Sequence, residues 1–110
     1  MQLANKTLVI TGAARGLGAA MALRLARHKP QLALIDLQAG DLEPIAAKCR
    51  ELGATVHCAG ANVASEADVV RTFDGIVARF GAVHALVNNA GITRDALLIK
   101  WKDGAVESKM

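Results

Sequence analysis

Tyrosine is absent from this chain of 110 residues, and two phenylalanines and one tryptophan are its only aromatic side chains. A core built without aromatics must come from Ala, Val, Leu and Ile, and a phenol is unavailable as a proton donor anywhere in these residues. Cysteine is scarce too: Cys49 and Cys58 are too far apart for a CxxC pair. His28, His57 and His84 are scattered, with no HExxH, so metal-ligand spacing is missing. The pattern reads as two reduced thiols in a cytosolic protein. No basic run or aromatic-basic interleaving occurs; 13 basic and 10 acidic residues are spread along the chain, for a net charge of +3. That argues against a nucleic-acid partner and suits an acidic small molecule or acidic carrier surface. No apolar run approaches membrane-spanning length, and the start lacks the charged-then-apolar order of a signal peptide. The expectation is a cytoplasmic protein without a membrane partner.

What is present is aliphatic. Hydrophobic residues make up 53% of the chain, a mix that suits a parallel sheet buried on both faces by helices. A chain of this length buries roughly two-thirds of its unfolded surface, enough for one modest core. The apolar segment Thr7 to Thr11 reads as a strand ended by Gly12, and a helix is predicted from Gly16 to about Lys29. Its apolar face is drawn by Leu17, Ala20, Met21, Leu25 and Ala26, and Pro30 stops it. Gln31 to Asp36 is a second strand, Asp41 to Leu52 a second helix closed by Gly53, and Thr55 to Ala59 a third strand. Ser65-Glu66-Ala67-Asp68 resembles a capping box. The helix it opens carries Val69, Val70, Phe73, Ile76, Val77 and Phe80 on one stripe and ends at Gly81. Val83 to Asn88 is the fourth strand; beyond Thr93 the pattern blurs, and KWKDG reads as an exposed turn. The order β-α-β-α-β-α-β predicts an α/β fold with a doubly wound parallel sheet and right-handed crossovers, in its N-terminal portion only.

The segment TGAARGLG, Thr11 to Gly18, joins the first strand to the first helix. A strand running into GxxxGxG and then a helix is a phosphate-binding arrangement. Gly12 permits a tight turn, Gly16 removes a side chain where a pyrophosphate must approach, and Gly18 lets the helix pack closely. The helix N-terminus then offers unpaired N–H groups and its positive dipole end. Asp36 ends the second strand, 18 residues after Gly18, near the spacing at which an acid meets the adenosine ribose. A carboxylate there accepts from both ribose hydroxyls and repels a 2′-phosphate, which favours NAD. Arg15, inside the turn, leaves NADP open, since it could reach a 2′-phosphate, clamp the pyrophosphate or simply be solvated. A phosphate-transfer P-loop is a poor fit, because Ala19 and Ala20 follow Gly18 where Lys and Ser or Thr are needed.

With Asn88-Asn89-Ala90-Gly91 closing the fourth strand, the chain resembles the short-chain dehydrogenase/reductase family. The TGxxxGxG turn, Asp36, the pair Asn62-Val63 and NNAG fall in family order over about Lys6 to Leu98. The stretch NNAGITRDALL, Asn88 to Leu98, is most similar to the bacterial 3-oxoacyl-[acyl-carrier-protein] reductase branch. The resemblance implies a Rossmann-type dinucleotide-binding domain over residues 1–110, stopping before the catalytic half. It implies that Gly12, Arg15, Gly16, Leu17 and Gly18 line the phosphates and nearby ribose, and that Asp36 holds the adenosine ribose. Asn62 and Val63 would meet the adenine, Asn62 standing where many relatives carry Asp and offering an amide oxygen and an amide donor. Asn89, Ala90, Gly91 and Ile92 would pass behind the nicotinamide ribose, while Asn88 ties strands together. The family's Tyr-x-x-x-Lys pair, Ser and further Asn belong downstream; here there is no Tyr, and the only Ser after NNAG is Ser108. No catalytic residue is assigned. The implied function is hydride transfer between NAD(P) and a carbonyl or alcohol, including an acyl-thioester substrate, by a homo-oligomeric parent protein. A stand-alone nucleotide-binding subunit without turnover and a non-functional remnant are the other readings. In relatives a fifth strand lies beside the fourth, so Leu86 to Asn88 is expected on a bare edge, with association or poor stability as the result.

Overall fold

Alternation of apolar residues along three short strands decides which layer each side chain joins. The computed structural model describes residues 2–89, together with the strands at 97–102 and 105–109. Strand β1 (Thr7–Thr11) is buried at every position, and β2 (Gln31–Asp36) at its four central ones. Leu8, Ile10, Leu32, Leu34 and Val56 point to one face, where they meet Ala22 and Ala26 of helix α1 (Gly16–Ala26) and Ala46 and Cys49 of helix α2 (Glu43–Glu51). Val9, Ala33 and Ile35 point to the other, against Ile76 and the half-buried Phe73 and Phe80 of helix α3 (Glu66–Phe80). Burial on both faces is what the continuous apolar strands require.

Strand β3 (Thr55–Gly60) pairs in parallel with β2, β2 with β1, and β1 with β4 (Ala85–Asn88). The expected β-α-β-α-β-α-β order is thus the observed one. The crossover through α1 and α2 runs on one face and that through α3 on the other, as right-handed connections in opposite directions demand. The consequence is a reversal of strand order at β1, whose neighbours are β2 and β4.

Several expected boundaries shift for local reasons. Helix α1 ends at Ala26 rather than near Lys29: the N–H groups of His28 and Lys29 turn back to Leu25 and Ala26, and Lys29 sits at φ 59°. Its buried residues are Gly18, Ala19, Ala22 and Ala26, while Leu17 is 61% exposed. Of the face expected from the sequence, Ala26 is buried and Met21 and Leu25 pack half-buried against the core, while Leu17 and Ala20 face outward. The fully buried positions are all small, because α1 lies close against the sheet. The segment predicted as one helix from Asp41 opens instead as a 3-10 turn, Ala39–Leu42, and α2 starts at Glu43 with Pro44 in its first turn, where a missing N–H costs nothing. In α3 Val70 and Val77 are exposed and Thr72 is buried. Ser65 caps that helix by accepting from the Asp68 N–H (3.3 Å), and Gly81, at φ 86°, closes it with an N–H to the Val77 carbonyl (2.7 Å).

The tail departs most from expectation. Strand β5 (Leu97–Lys102) runs antiparallel along β4 and pairs Leu86 with Ile99 and Asn88 with Leu97; β6 (Ala105–Lys109) pairs antiparallel with β5. The final order is β3-β2-β1-β4-β5-β6. The β4 edge, expected bare, is covered, and KWK belongs to a strand. An antiparallel return needs no crossover helix, so a short stretch suffices to satisfy the edge. The argument for association from an open β4 edge falls with it.

Candidate functional site

In an open α/β sheet the carboxyl ends of the strands flanking a reversal of order leave a crevice. Here those are the ends of β1 and β4, and the glycine turn and Asn88-Asn89 emerge from them. Gly12 and Gly16 adopt φ 64° and 61°, a left-handed geometry that glycine takes without strain, so the chain turns off β1 and enters α1. At Gly18 the reason for glycine is contact: a Cβ there would collide with the Gly12 carbonyl and stand 3.0 Å from Asn89 Nδ2.

Both sides of the turn are tied down. Toward β4, the Thr11 hydroxyl donates to Asn88 Oδ1 (2.9 Å) and accepts from the Asn89 N–H (2.8 Å), while Asn89 Nδ2 donates to the Gly12 carbonyl (3.4 Å). Toward β2, the Ala13 N–H donates to the Ile35 carbonyl (3.2 Å) and the Ala14 N–H to Asp36 Oδ2 (3.0 Å). The first internal bond of α1 runs from the Ala19 N–H to the Arg15 carbonyl. The N–H groups of Gly16, Leu17 and Gly18 have no acceptor among the described residues. They are the orphan donors of a helix start, with the positive dipole end behind them.

Asp36 stands at the rim, half-buried, its other oxygen accepting from the Leu37 N–H (2.8 Å). Leu37 is 66% exposed beside it, so the mouth carries two open leucines, Leu17 and Leu37. Arg15 is exposed and makes no ion pair among the described residues. The β3 end lies next to this rim. The Ala61 N–H donates to the Asp36 carbonyl (2.9 Å), and a Cβ on Gly60 would stand 3.1 Å from the Ala39 nitrogen. Asn62 and Val63 follow, but the Asn62 amide oxygen is engaged by the Ala64 N–H (2.9 Å) and its N–H by Asp68 Oδ2 (3.0 Å). Among the described residues its amide nitrogen has no partner and its amide oxygen has this one, leaving a donor and a second lone pair.

The turn residues, Asp36, Asn62-Val63 and Asn89, separated in sequence, thus gather along the carboxyl ends of β1 to β4. Ala90, Gly91 and Ile92, expected at the same site, lie outside the described residues. Thr11 and Leu37 were missed as site residues. Thr11 carries a signal within the TGxxxGxG motif itself, whereas Leu37 has none beyond following the acid.

Chemically, the arrangement suits a dinucleotide. Three open amides at a helix start match an anionic diphosphate, Gly12 and Gly16 keep side chains off the turn, and a rim carboxylate matches hydroxyls. Elsewhere, burial pushes the thiols of Cys49 and Cys58 up, with the Cys58 charge adding to it at Cys49 and the Glu43 charge at Cys58, and both lie away from this crevice on the α2 side. Burial, then the Arg79 charge, lowers His57, whose ring meets Phe80 edge-on at 6.4 Å.

Comparison with known proteins agrees with this geometry. A family model described as short chain dehydrogenase matches residues 6–110. The rat (Rattus norvegicus) 17-beta-hydroxysteroid dehydrogenase 13 is 37% identical over 100 residues, covering 91% of this chain and 33% of that protein. A 3-oxoacyl-[acyl-carrier-protein] reductase of Staphylococcus epidermidis is 37% identical over 100 residues, covering 90% of this chain and 41% of its own. Among solved structures, NAD+-bound xylitol dehydrogenase superposes with a TM-score of 0.79 at 37% identity, over 84% of this chain and 35% of that one. A metagenomic short-chain oxidoreductase in complex with NADP gives 0.79 at 26% identity, over 84% and 42%. The chain spans about a third to two-fifths of the length of the curated relatives it matches.

Proposed function

The chain belongs to the short-chain dehydrogenase family, and from that premise we propose that it is the cofactor-binding part of an NAD(P)-dependent oxidoreductase acting on a carbonyl or alcohol. The observation that carries the reading is the open amide cradle of Gly16, Leu17 and Gly18 with the Asp36 carboxylate at its rim. When bound, the nicotinamide cofactor supplies or takes up a hydride. The chain's own residues do the holding: the cradle amides and Gly12 receive the diphosphate, and Asp36 receives the adenosine ribose. Asn62, through its free amide nitrogen, and Val63 flank the adenine. Asn89, with Ala90, Gly91 and Ile92, backs the nicotinamide side. Arg15 neutralises phosphate charge.

Asp36 favours NAD, because a 2′-phosphate beside a carboxylate meets like charge; similar proteins of known structure bind NAD in one case and NADP in another. Reduction of a 3-oxoacyl thioester is one candidate reaction, supported by NNAGITRDALL and by the S. epidermidis relative. A steroid dehydrogenase matches equally well, so the substrate is proposed only as a carbonyl or alcohol. We further place the parent protein in the cytoplasm as a homo-oligomer. Fluorescence titration with NADH and NADPH tests the reading: saturable binding, tighter for NADH, is expected. A chain that binds neither overturns it. Turnover of a carbonyl or alcohol by the intact parent protein separates this reading from that of a stand-alone nucleotide-binding subunit, which would bind the cofactor without turnover.

A further inference from the structure

We propose that Asp36 is a positioning residue for the phosphate turn itself, acting on the turn's backbone independently of any contact with a ribose. The inference rests on the cofactor reading above only for its ligand-binding consequence. Its structural part stands on two hydrogen bonds.

Between Gly12 and Gly16 the chain crosses from β1 to α1 through Ala13, Ala14 and Arg15. Ala13 is fully buried and held by the Ile35 carbonyl. Ala14 has one partner for its N–H, Asp36 Oδ2, 22 residues away in sequence. Successive amides of the turn are thus held by successive acceptors of β2, first a main-chain carbonyl and then a carboxylate. Past Ala14 the next fixed point is Arg15, whose carbonyl receives the first bond of the helix. The carboxylate therefore sets where α1 begins, and with it the direction of the open amides of Gly16, Leu17 and Gly18.

A simpler account would have Asp36 merely closing its own loop through the Leu37 N–H. That bond involves the other oxygen and leaves the Ala14 contact unexplained. An ionised carboxylate offers about four acceptor sites, so two amides and two ribose hydroxyls can share it. Ribose binding does not require the turn to be released, and the acid couples ribose recognition to phosphate recognition. A small neutral residue introduced to admit a 2′-phosphate would at the same time loosen the turn that holds the diphosphate.

The test uses ligands that lack the adenosine ribose. Asp36→Ala and Asp36→Asn are compared with the wild type for NADH, for reduced nicotinamide mononucleotide and for inorganic pyrophosphate, by amide chemical-shift titration, with hydrogen exchange followed at the Ala14 N–H. In Asp36→Ala, exchange at Ala14 is expected to accelerate, and affinity for the mononucleotide and pyrophosphate to fall by about tenfold, the scale of one charge-assisted hydrogen bond. Asp36→Asn keeps an amide oxygen as acceptor and should recover part of both. If Asp36→Ala weakens NADH but leaves the mononucleotide, pyrophosphate and Ala14 exchange as in the wild type, Asp36 serves the ribose alone and the proposal is wrong. A wild type that binds no ligand removes the cofactor reading, whereas Ala14 exchange in the two variants still decides whether the carboxylate holds the turn. Asp36→Asn also guards against misfolding in Asp36→Ala, since it is nearly isosteric.

Discussion

Gly18→Ala should damage this protein far more than its size suggests, and the structure says where the cost arises. A Cβ at Gly18 would collide with the Gly12 carbonyl, lie 2.8 Å from the Gly12 carbonyl carbon and 3.0 Å from Asn89 Nδ2. Two of these three neighbours are backbone in the tightest part of the turn, held on one side by Asn89 and on the other by Ile35 and Asp36. Neither can swing away as a flexible side chain would, so the helix start must shift. Overpacking of this kind costs about 1–3 kcal/mol, and in a domain of this size that lowers the melting midpoint by roughly 5–20 °C. Gly75→Ala is the matched control: Gly75 lies inside α3 with nothing within 4 Å of an added Cβ. There the change should stabilise by up to about 1 kcal/mol through helix propensity alone. Thermal melts of the three proteins, with NADH titration of each, read the result. Gly18→Ala should lose both stability and binding, and Gly75→Ala should keep binding and melt higher. A Gly18→Ala midpoint equal to the wild type would refute the claim that turn and helix are in unyielding contact.

Other expectations are smaller. Ser65→Ala removes the side-chain acceptor for the Asp68 N–H and should cost about 1 kcal/mol in urea unfolding, with cofactor affinity little changed. His57 titrates lower in the folded chain than its ordinary value of 6.5, through burial and then the Arg79 charge. The unfolded chain therefore binds this proton more readily. Stability from His57 is complete above its unfolded value and is lost as pH falls through the lowered folded one. His57→Phe should flatten that acid limb in pH-dependent melts, and an unchanged limb would show that His57 is not its source. Cys49 and Cys58 are held protonated by burial first, so the folded protein should react slowly with a disulfide reagent at pH 8 and quickly in urea. Their raised values also make stability fall as pH rises through the thiol range, the opposite limb to that of His57.

Much of this architecture is written locally. The four apolar strands, the glycine turn, the Ser65 start and Gly81 stop of α3, and the acid at the end of β2 each follow from a few neighbouring residues. Each declares itself by side-chain size, by the orphan amides of a helix end or by a glycine's freedom. Alternation of strands and helices then leaves few topologies, so the parallel order of β1 to β4 and the line of candidate residues along their carboxyl ends could be read in advance.

Tertiary structure alone decided the rest. The expected face of α1 was right at Met21, Leu25 and Ala26, but Gly18, Ala19 and Ala22 carry little hydrophobic signal; close approach to the sheet selects small residues, and the larger Leu17 is turned outward. Thr11 with Asn89, and Ala14 with Asp36, are bonds across 78 and 22 residues of chain, and no local pattern encodes them. The bare edge of β4 was expected, but not that β5 and β6 would cover it; an unpaired edge offers hydrogen bonds to whatever chain can reach it, and reach is settled in space. Neighbouring residues are enough to specify a glycine turn after β1 and an acid at the end of β2; that the acid takes an N–H of the turn follows from the fold, since backbone N–H groups find their partners in space and not along the chain.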